Sequence, residues 1–248
     1  MSDRDAIVSF CEELLSSRTI ADFWCENGLQ IEGKENVKKI ALGVSTTQEF
    51  LKAAAKWGAD MCLVHHGLFW KNGVVKIQGV LKKRLEILLK SNMSLVNFHL
   101  PLDAHPAVGN NAIIIKTLGL KKLEAVECGF MAELKKPLEF AAFCDLVQEK
   151  IGHINFSANF SGKKVFRIGI ISGGAASFAP AVKALGADTF LFGEITEHDY
   201  HDLKEMNLSF IAAGHFATER FGVQALGEKI AKRFPDVTVH FLDEDCPV

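Results

Sequence analysis

One stretch of this chain occurs twice. FLKAAAKWGADMCLVHHG (50–67) aligns without gaps on FAPAVKALGADTFLFGEI (178–195), with Phe, Gly-Ala-Asp and Leu coinciding at a constant offset. Each copy reads as an amphipathic helix that ends at a glycine and leads into a short apolar run, the pattern of a helix feeding a buried strand. The repeat continues further on. After one deletion, His99-x-x-x-Asp103 falls on His215-x-x-x-Glu219. Chance could give either match alone; together they favour an internal duplication. The sequence places the boundary near residue 125, between GLKKLEAVE and GFMAELKKP, giving a first half 1–125 and a second half 126–248.

The elements around the repeat agree with it. Residues 3–16 read as a helix, and ADFWCENGLQIEG as a loop-rich stretch. VKKIALGVS (37–45), ADMCLV (59–64) and SLVNFHL (94–100) read as strands, with helices over TTQEFLKAAAKWG, KRLEILLKSN and NNAIIIKTLG. In the second half KVFRIGIIS (164–172), ADTFLF (187–192) and LSFIAAG (208–214) read as strands, and APAVKALG as a helix. Strands alternating with helices predict two similar α/β domains, each on a largely parallel sheet.

Composition narrows the function classes. With 248 residues, 48% hydrophobic and 23% charged, the chain builds a sizeable core and is not disordered. A formal net charge of -2 leaves no electrostatic footprint for nucleic acid, and no polybasic segment suggests a membrane surface. MSDRDAIVSFCEELL carries charge from residue 3 and has no apolar signal region, and no apolar run approaches the length of a membrane span. The six cysteines form no CxxC pair, so a zinc ribbon or thioredoxin-like motif is absent. Scattered single cysteines are mostly small core residues, which fits a reducing, cytoplasmic compartment. Cys62 sits close to two histidines but is expected to be a buried strand residue.

The histidines carry the chemistry. His65 and His66 follow a buried strand; neighbouring strand residues point to opposite faces, so reaching one site requires a bend, which Gly67 permits. Two adjacent imidazoles at a strand's carboxyl end suit two neighbouring metals, at the sheet edge where α/β sites lie. Asp103 follows the next strand in a loop stiffened by Pro101 and Pro106. His215 and Glu219, four apart, share one face if GHFATERFG starts a helix. Three imidazoles and two carboxylates form a mixed N/O set that suits Zn, Fe, Mn, Co or Ni better than Ca or Mg. Any one of these motifs alone is more often a solvated or hydrogen-bonded residue; their occurrence at equivalent strand ends favours the metal reading.

LVHHG, HLPLDAHP-x-x-GNN, GH-x-x-TER-x-G and the W-x-E-N-G-L-Q stretch at 24–30 resemble the corresponding motifs of the Nif-three-like dinuclear metal-centre hexameric proteins, also called GTP cyclohydrolase type-I, class-two homologues. The resemblance covers nearly the whole chain. It implies two α/β domains with a dinuclear site between them, a ring-shaped homohexamer, and His65, His66, Asp103, His215 and Glu219 as ligands of two divalent transition-metal ions. It leaves out the inserted middle domain of longer members, for which this chain is too short.

Other residues are weaker candidates. His99 is either a ligand or a group that supports the ligands from outside, with the second favoured. GEITEHDYH (193–201) resembles the family's G-[DE]-x-x-x-H stretch and offers Glu194 and His198 as catalytic candidates, against an exposed polar loop. SGGAAS (172–177) reads as a tight turn rather than a phosphate cradle. Trp24, Trp57 and Trp70 read as core or interface anchors. The function expected is metal-dependent hydrolysis of a nucleotide or related phosphorylated small molecule. The alternative is a non-catalytic protein that stores metal or binds a partner. Nucleic-acid binding stays open if a ring gathers its basic residues inward.

Overall fold

The computed structural model describes residues 2–71, 73 and 76–248. In chain order the strands are β1 (Ser2–Asp3), β2 (Gly28–Ile31), β3 (Asn36–Val37), β4 (Lys39–Ser45), β5 (Met61–His66), β6 (Ser94–Asn97), β7 (Lys121–Val126), β8 (Gly129–Leu138), β9 (Phe156–Ala158), β10 (Val165–Ile170), β11 (Thr189–Phe192), β12 (Ser209–Ala212) and β13 (Thr238–Phe241). The α-helices are α1 (Arg4–Leu15), α2 (Gln48–Trp57), α3 (Gly79–Ser91), α4 (Leu100–Asp103), α5 (Asn110–Thr117), α6 (Phe140–Ile151), α7 (Ala179–Ala184), α8 (Glu197–Glu205) and α9 (His215–Arg233).

They form two compact units. The first comprises Met1–Leu102 and Val223–Asp245, the second Asp103–Gly222 and Cys246–Val248. The expected division near residue 125 is therefore corrected. That position lies in β7, which hairpins onto β8 through Glu127 and Cys128 and belongs to the second unit's sheet. Glu127 takes φ +50 there, without the Asn-Gly or Asp-Gly signature of a tight hairpin, which is why the turn is not visible in the sequence. The other end of the chain departs as well: β13 returns to pair in parallel with β4.

In the first unit the five-stranded sheet runs β13-β4-β5-β6-β2, parallel except for β2, which is antiparallel to β6. The loop-rich reading of 21–33 thus missed a strand, hidden by its flanking glycines. The second unit's sheet runs β7-β8-β10-β11-β12-β9, and only β10, β11 and β12 are parallel. Each unit therefore repeats one motif: a helix, an antiparallel edge strand, then three parallel strands linked by helices. Phe50, Leu51 and Ala54 of α2 pack with Cys62, Val64 and Leu95, and the second unit holds two apolar clusters of its own, one containing Phe190, Phe192 and Phe210. Cys62 is fully buried there, and burial pushes its thiol up to about 12, as a core cysteine requires.

The duplicated Gly-Ala-Asp has the same job twice. Asp60 accepts hydrogen bonds from the Lys38 and Lys39 backbone N–H groups at 2.9 and 3.1 Å. Asp188 accepts from those of Phe166 and Arg167 at 3.0 and 2.8 Å. Beyond the strands the repeat slips. Met61 pairs with Ser94 and Thr189 with Ser209, and Phe98 and Ala213 make matching backbone bonds to Val64 and Phe192. Counted from there, His99 stands opposite Gly214, and His215 lies one residue further on, at the start of α9. The sequence alignment of His99 with His215 is off by that residue.

Candidate metal centre

In the first unit, β5 runs straight through His65 and His66. Gly67 is not the hinge the sequence suggested, since it is not among the glycines of positive φ. A Cβ there would meet the Gln30 Oε1 at 2.4 Å, so Gly67 makes room for the side chain that accepts from the Leu68 and Phe69 N–H groups. Even so, the rings of His65 and His66 lie 4.7 Å apart, and His99 joins them at 5.1 and 5.8 Å. Each of the three offers a nitrogen within 4.8 Å of the others, a spacing that can hold a metal ion. The Trp70 ring flanks His66 and His99 at 6.0 and 5.3 Å.

Each ring is held from behind. His65 Nδ1 lies 2.9 Å from the Phe98 carbonyl and His66 Nδ1 3.0 Å from the Ser45 hydroxyl. His99 Nδ1 lies 2.9 Å from Asp22 Oδ2, and Asn27 Oδ1 accepts the His99 backbone N–H at 2.7 Å. Asp22 is buried, which opposes its charge, but hydrogen bonds from His99, Asn27 and the Cys25 backbone hold its carboxyl well below the usual range. Asn27 belongs to the W-x-E-N-G-L-Q stretch; Asp22 lies outside every motif, and no pattern in the sequence marks it.

In the second unit, Asp103, His215 and Glu219 meet the carboxyl ends of β10, β11 and β12. Asp103 is buried, and its Oδ1 accepts from the Asn110 amide at 2.8 Å and the Ser172 hydroxyl at 3.0 Å. Asn111 in turn accepts the Ser172 N–H at 2.7 Å. The Gly-Asn-Asn at the start of α5 is thus the frame of the carboxylate. His215 and Glu219 share the first turn of α9, with His215 Nε2 3.0 Å from the buried Glu219 carboxylate. Glu194 Oε1 lies 3.2 Å from His215 Nδ1. Burial pulls the His215 pKa down, but Glu219 and then Glu194 outweigh it and raise it to about 9. His198 does not share that place: it lies on α8, its side chain 81% exposed and 3.5 Å from Asp202.

Backbone without side chains makes the space. A Cβ on Gly173 (φ +70) would fall 2.1 Å from Glu219 Oε1 and 3.1 Å from His215 Nε2. One on Gly193 would strike the Gly173 carbonyl and the His215 Cα, each at 2.8 Å. The SGGAAS segment is therefore a turn, as expected, but its first glycine serves the carboxylate. Burying two carboxylates here is costly without positive charge. Burial, with the field of Asp103 and Glu219 added to it, drives the Cys128 thiol far above its ordinary value, so that sulfur stays protonated. Imidazole and carboxylate donors with no thiolate, around a cradle that a single Cβ would fill, fit a divalent transition metal.

Repeated three-stranded parallel motifs, each presenting histidines or carboxylates at its carboxyl edge, define an α/β protein with groups that could hold a metal ion. Among the described residues no helix is long and apolar enough to cross a membrane. The chain belongs to the DUF34/NIF3 family: the model of Duf34/NIF3 (NGG1p interacting factor 3) matches residues 2–247. It is 39% identical to a GTP cyclohydrolase 1 type 2 homolog of Pseudomonas aeruginosa over 97% of this chain and 96% of that one. A protein of the same description from Escherichia coli K12 is 39% identical over 95% of each chain. Among solved structures, the protein ybgI, described as of unknown function, superposes with TM-score 0.95 at 36% identity over 100% of both chains. A protein of Thermus thermophilus does so with TM-score 0.92 at 32% identity, again over 100% of both.

Proposed function

We propose that His65, His66, Asp103, His215 and Glu219 together hold two divalent transition-metal ions, and that the protein hydrolyses a nucleotide or related phosphorylated small molecule. The observation that carries the reading is the Gly173 cradle, where a side chain on a backbone in the left-handed region would run into Glu219 and His215. When bound, such ions supply Lewis acidity and lower the pKa of a water from ~15.7 to ~7. The chain's own groups do the positioning. Asn110 and Ser172 aim Asp103; Glu194 holds His215 at Nδ1; Phe98 and Ser45 hold His65 and His66. Five donors shared by two ions leave coordination positions for water and substrate, which favours catalysis over storage. The relatives' description as GTP cyclohydrolase homologs points to a purine nucleotide as the first substrate to try.

The test has two stages. Elemental analysis should find up to two transition-metal ions per chain after reconstitution with Zn, Mn or Fe, and Gly173→Ala should lose them; a wild type that takes up none sinks the site. Nucleotides, cyclic nucleotides and phosphate esters are then offered to each metal form. Wild type should turn over at least one, and Asp103→Ala none. Inert metal forms, or activity that survives Asp103→Ala, would make this a metal-storing or partner-binding protein instead.

A further inference from the structure

The repeat reaches back, at the same constant offset, to the amino edge of each parallel set, the edge away from the histidines and carboxylates. Gly33 and Ser161 stand at one position, and their backbone N–H groups donate to the Ser94 and Ser209 hydroxyls at 3.0 and 3.1 Å. Lys39 and Arg167 stand at another, and donate to the Trp57 and Leu185 carbonyls at 3.0 and 2.8 Å. Asn92 and Asn207, each two residues before those serines, take φ +49 and +50. The backbone frame is the same twice, but the side chains are not.

In the first unit Lys34 and Trp57 occupy this corner. The Lys34 ammonium pairs with Asp60 at 2.6 Å, and its N–H donates to the Asn92 carbonyl at 3.1 Å. The Trp57 ring lies 5.1 Å from the Lys39 ammonium. In the second unit the same positions hold Gly162, where a Cβ would stand in open space, and Leu185. Asp188 does not need the missing ammonium. The Thr189 hydroxyl, where the first copy has Met61, donates to it at 2.8 Å. A cavity of about 450 Å³ lies here, within the span of small-molecule sites.

The charge of the corner has changed too. Lys163 stands where the first copy has Glu35, and Lys183 where it has Ala55; both line the cavity. Arg167 is neutralised by Glu124 and Glu133. Lys183 donates to the uncharged Asn207 carbonyl at 3.1 Å, and among the described residues no carboxylate pairs with it or with Lys163. Phe166, 38% exposed, replaces Lys38 and gives the cavity an apolar wall. Two cations without carboxylates attract an anion, and the Phe166 ring and the fixed Arg167 guanidinium suit a flat aromatic body.

We propose that this corner of the second unit binds a small aromatic anion, its ring lying where the first copy has the Trp57 indole and its phosphate or carboxylate meeting Lys163 and Lys183. The site shares no residue with the proposed metal ligands, so either reading can fail alone.

The experiment titrates the full-length protein calorimetrically with adenosine monophosphate, with adenosine and inorganic phosphate as its two halves, and with indole-3-acetate as an aromatic carboxylate. Crystals are soaked with whichever anion binds. Adenosine monophosphate or indole-3-acetate should bind more tightly than either half, and the preferred one identifies the head group. Leu185→Trp returns the indole of the first copy, and Lys163→Glu returns its charge. Each is expected to weaken binding by at least about tenfold, with the melting temperature of both variants showing that they fold. If one does not fold, the other and the soaked crystals decide. No saturable binding of either aromatic anion would overturn the proposal. So would unchanged affinity in both folded variants, adenosine or phosphate alone binding as tightly as the whole nucleotide, or electron density for the anion only beside His215 and Glu219.

Discussion

Each side chain at these strand ends is fixed by something the sequence shows only indirectly. His215 is the plainest case, lying between Glu219 on its Nε2 side and Glu194 on its Nδ1 side. Its pKa is raised from 6.5 to about 9, so the folded state of the metal-free protein binds the proton more tightly than the unfolded state. The stabilisation is complete below about pH 6.5 and lost as pH rises through about 9. The melting temperature of metal-free protein should therefore fall across that window, and Glu194→Gln should flatten the slope; scanning calorimetry showing equal slopes would refute the pairing. The proposed ligands were legible because histidines and carboxylates at repeated strand ends are an uncommon coincidence. Asp22, Ser172 and Thr218, whose hydroxyl accepts the Gly173 N–H at 3.1 Å, were not. Their role depends on contacts far apart in the chain, and no periodicity records those.

At the scale of elements, the duplicated Gly-Ala-Asp is the feature that sequence and structure share most closely. Asp60 and Asp188 each bridge two consecutive backbone N–H groups where a central parallel strand begins, β4 in one unit and β10 in the other. Replacing either by alanine leaves those donors without their acceptor, at a cost of about 1–3 kcal/mol. Denaturant unfolding should show this for both variants, with amide exchange accelerating first at the start of β4 in Asp60→Ala and of β10 in Asp188→Ala. Uniform acceleration, or no loss of stability, would contradict the shared role. The helices with strong apolar periodicity and caps, such as α2 with Thr47 and Gly58, were legible from sequence. The short edge strands β2 and β9 and the β7–β8 hairpin were not, because the first two are brief and the third turns on residues with no turn signature.

For the molecule as a whole, we propose the assembly of six copies that the family resemblance implies, and large apolar side chains support association: Phe23 is 73% exposed and Trp24 51%. Light scattering at micromolar concentration should report a hexamer; a 27.3 kDa species would refute it. The order in which the chain is made has a consequence of its own. The second unit is almost one continuous stretch, Asp103–Gly222, which in the sequence interrupts the two stretches of the first, Met1–Leu102 and Val223–Asp245. During synthesis the inserted unit is available to fold while the surrounding one is still short of its last strand. Until β13 emerges from the ribosome, one side of β4 has no neighbour, and an open strand edge invites pairing with other chains. The amino-terminal stretch, though translated first, thus belongs to a sheet that is finished later, and Thr238–Phe241 decide when that sheet is closed to strangers.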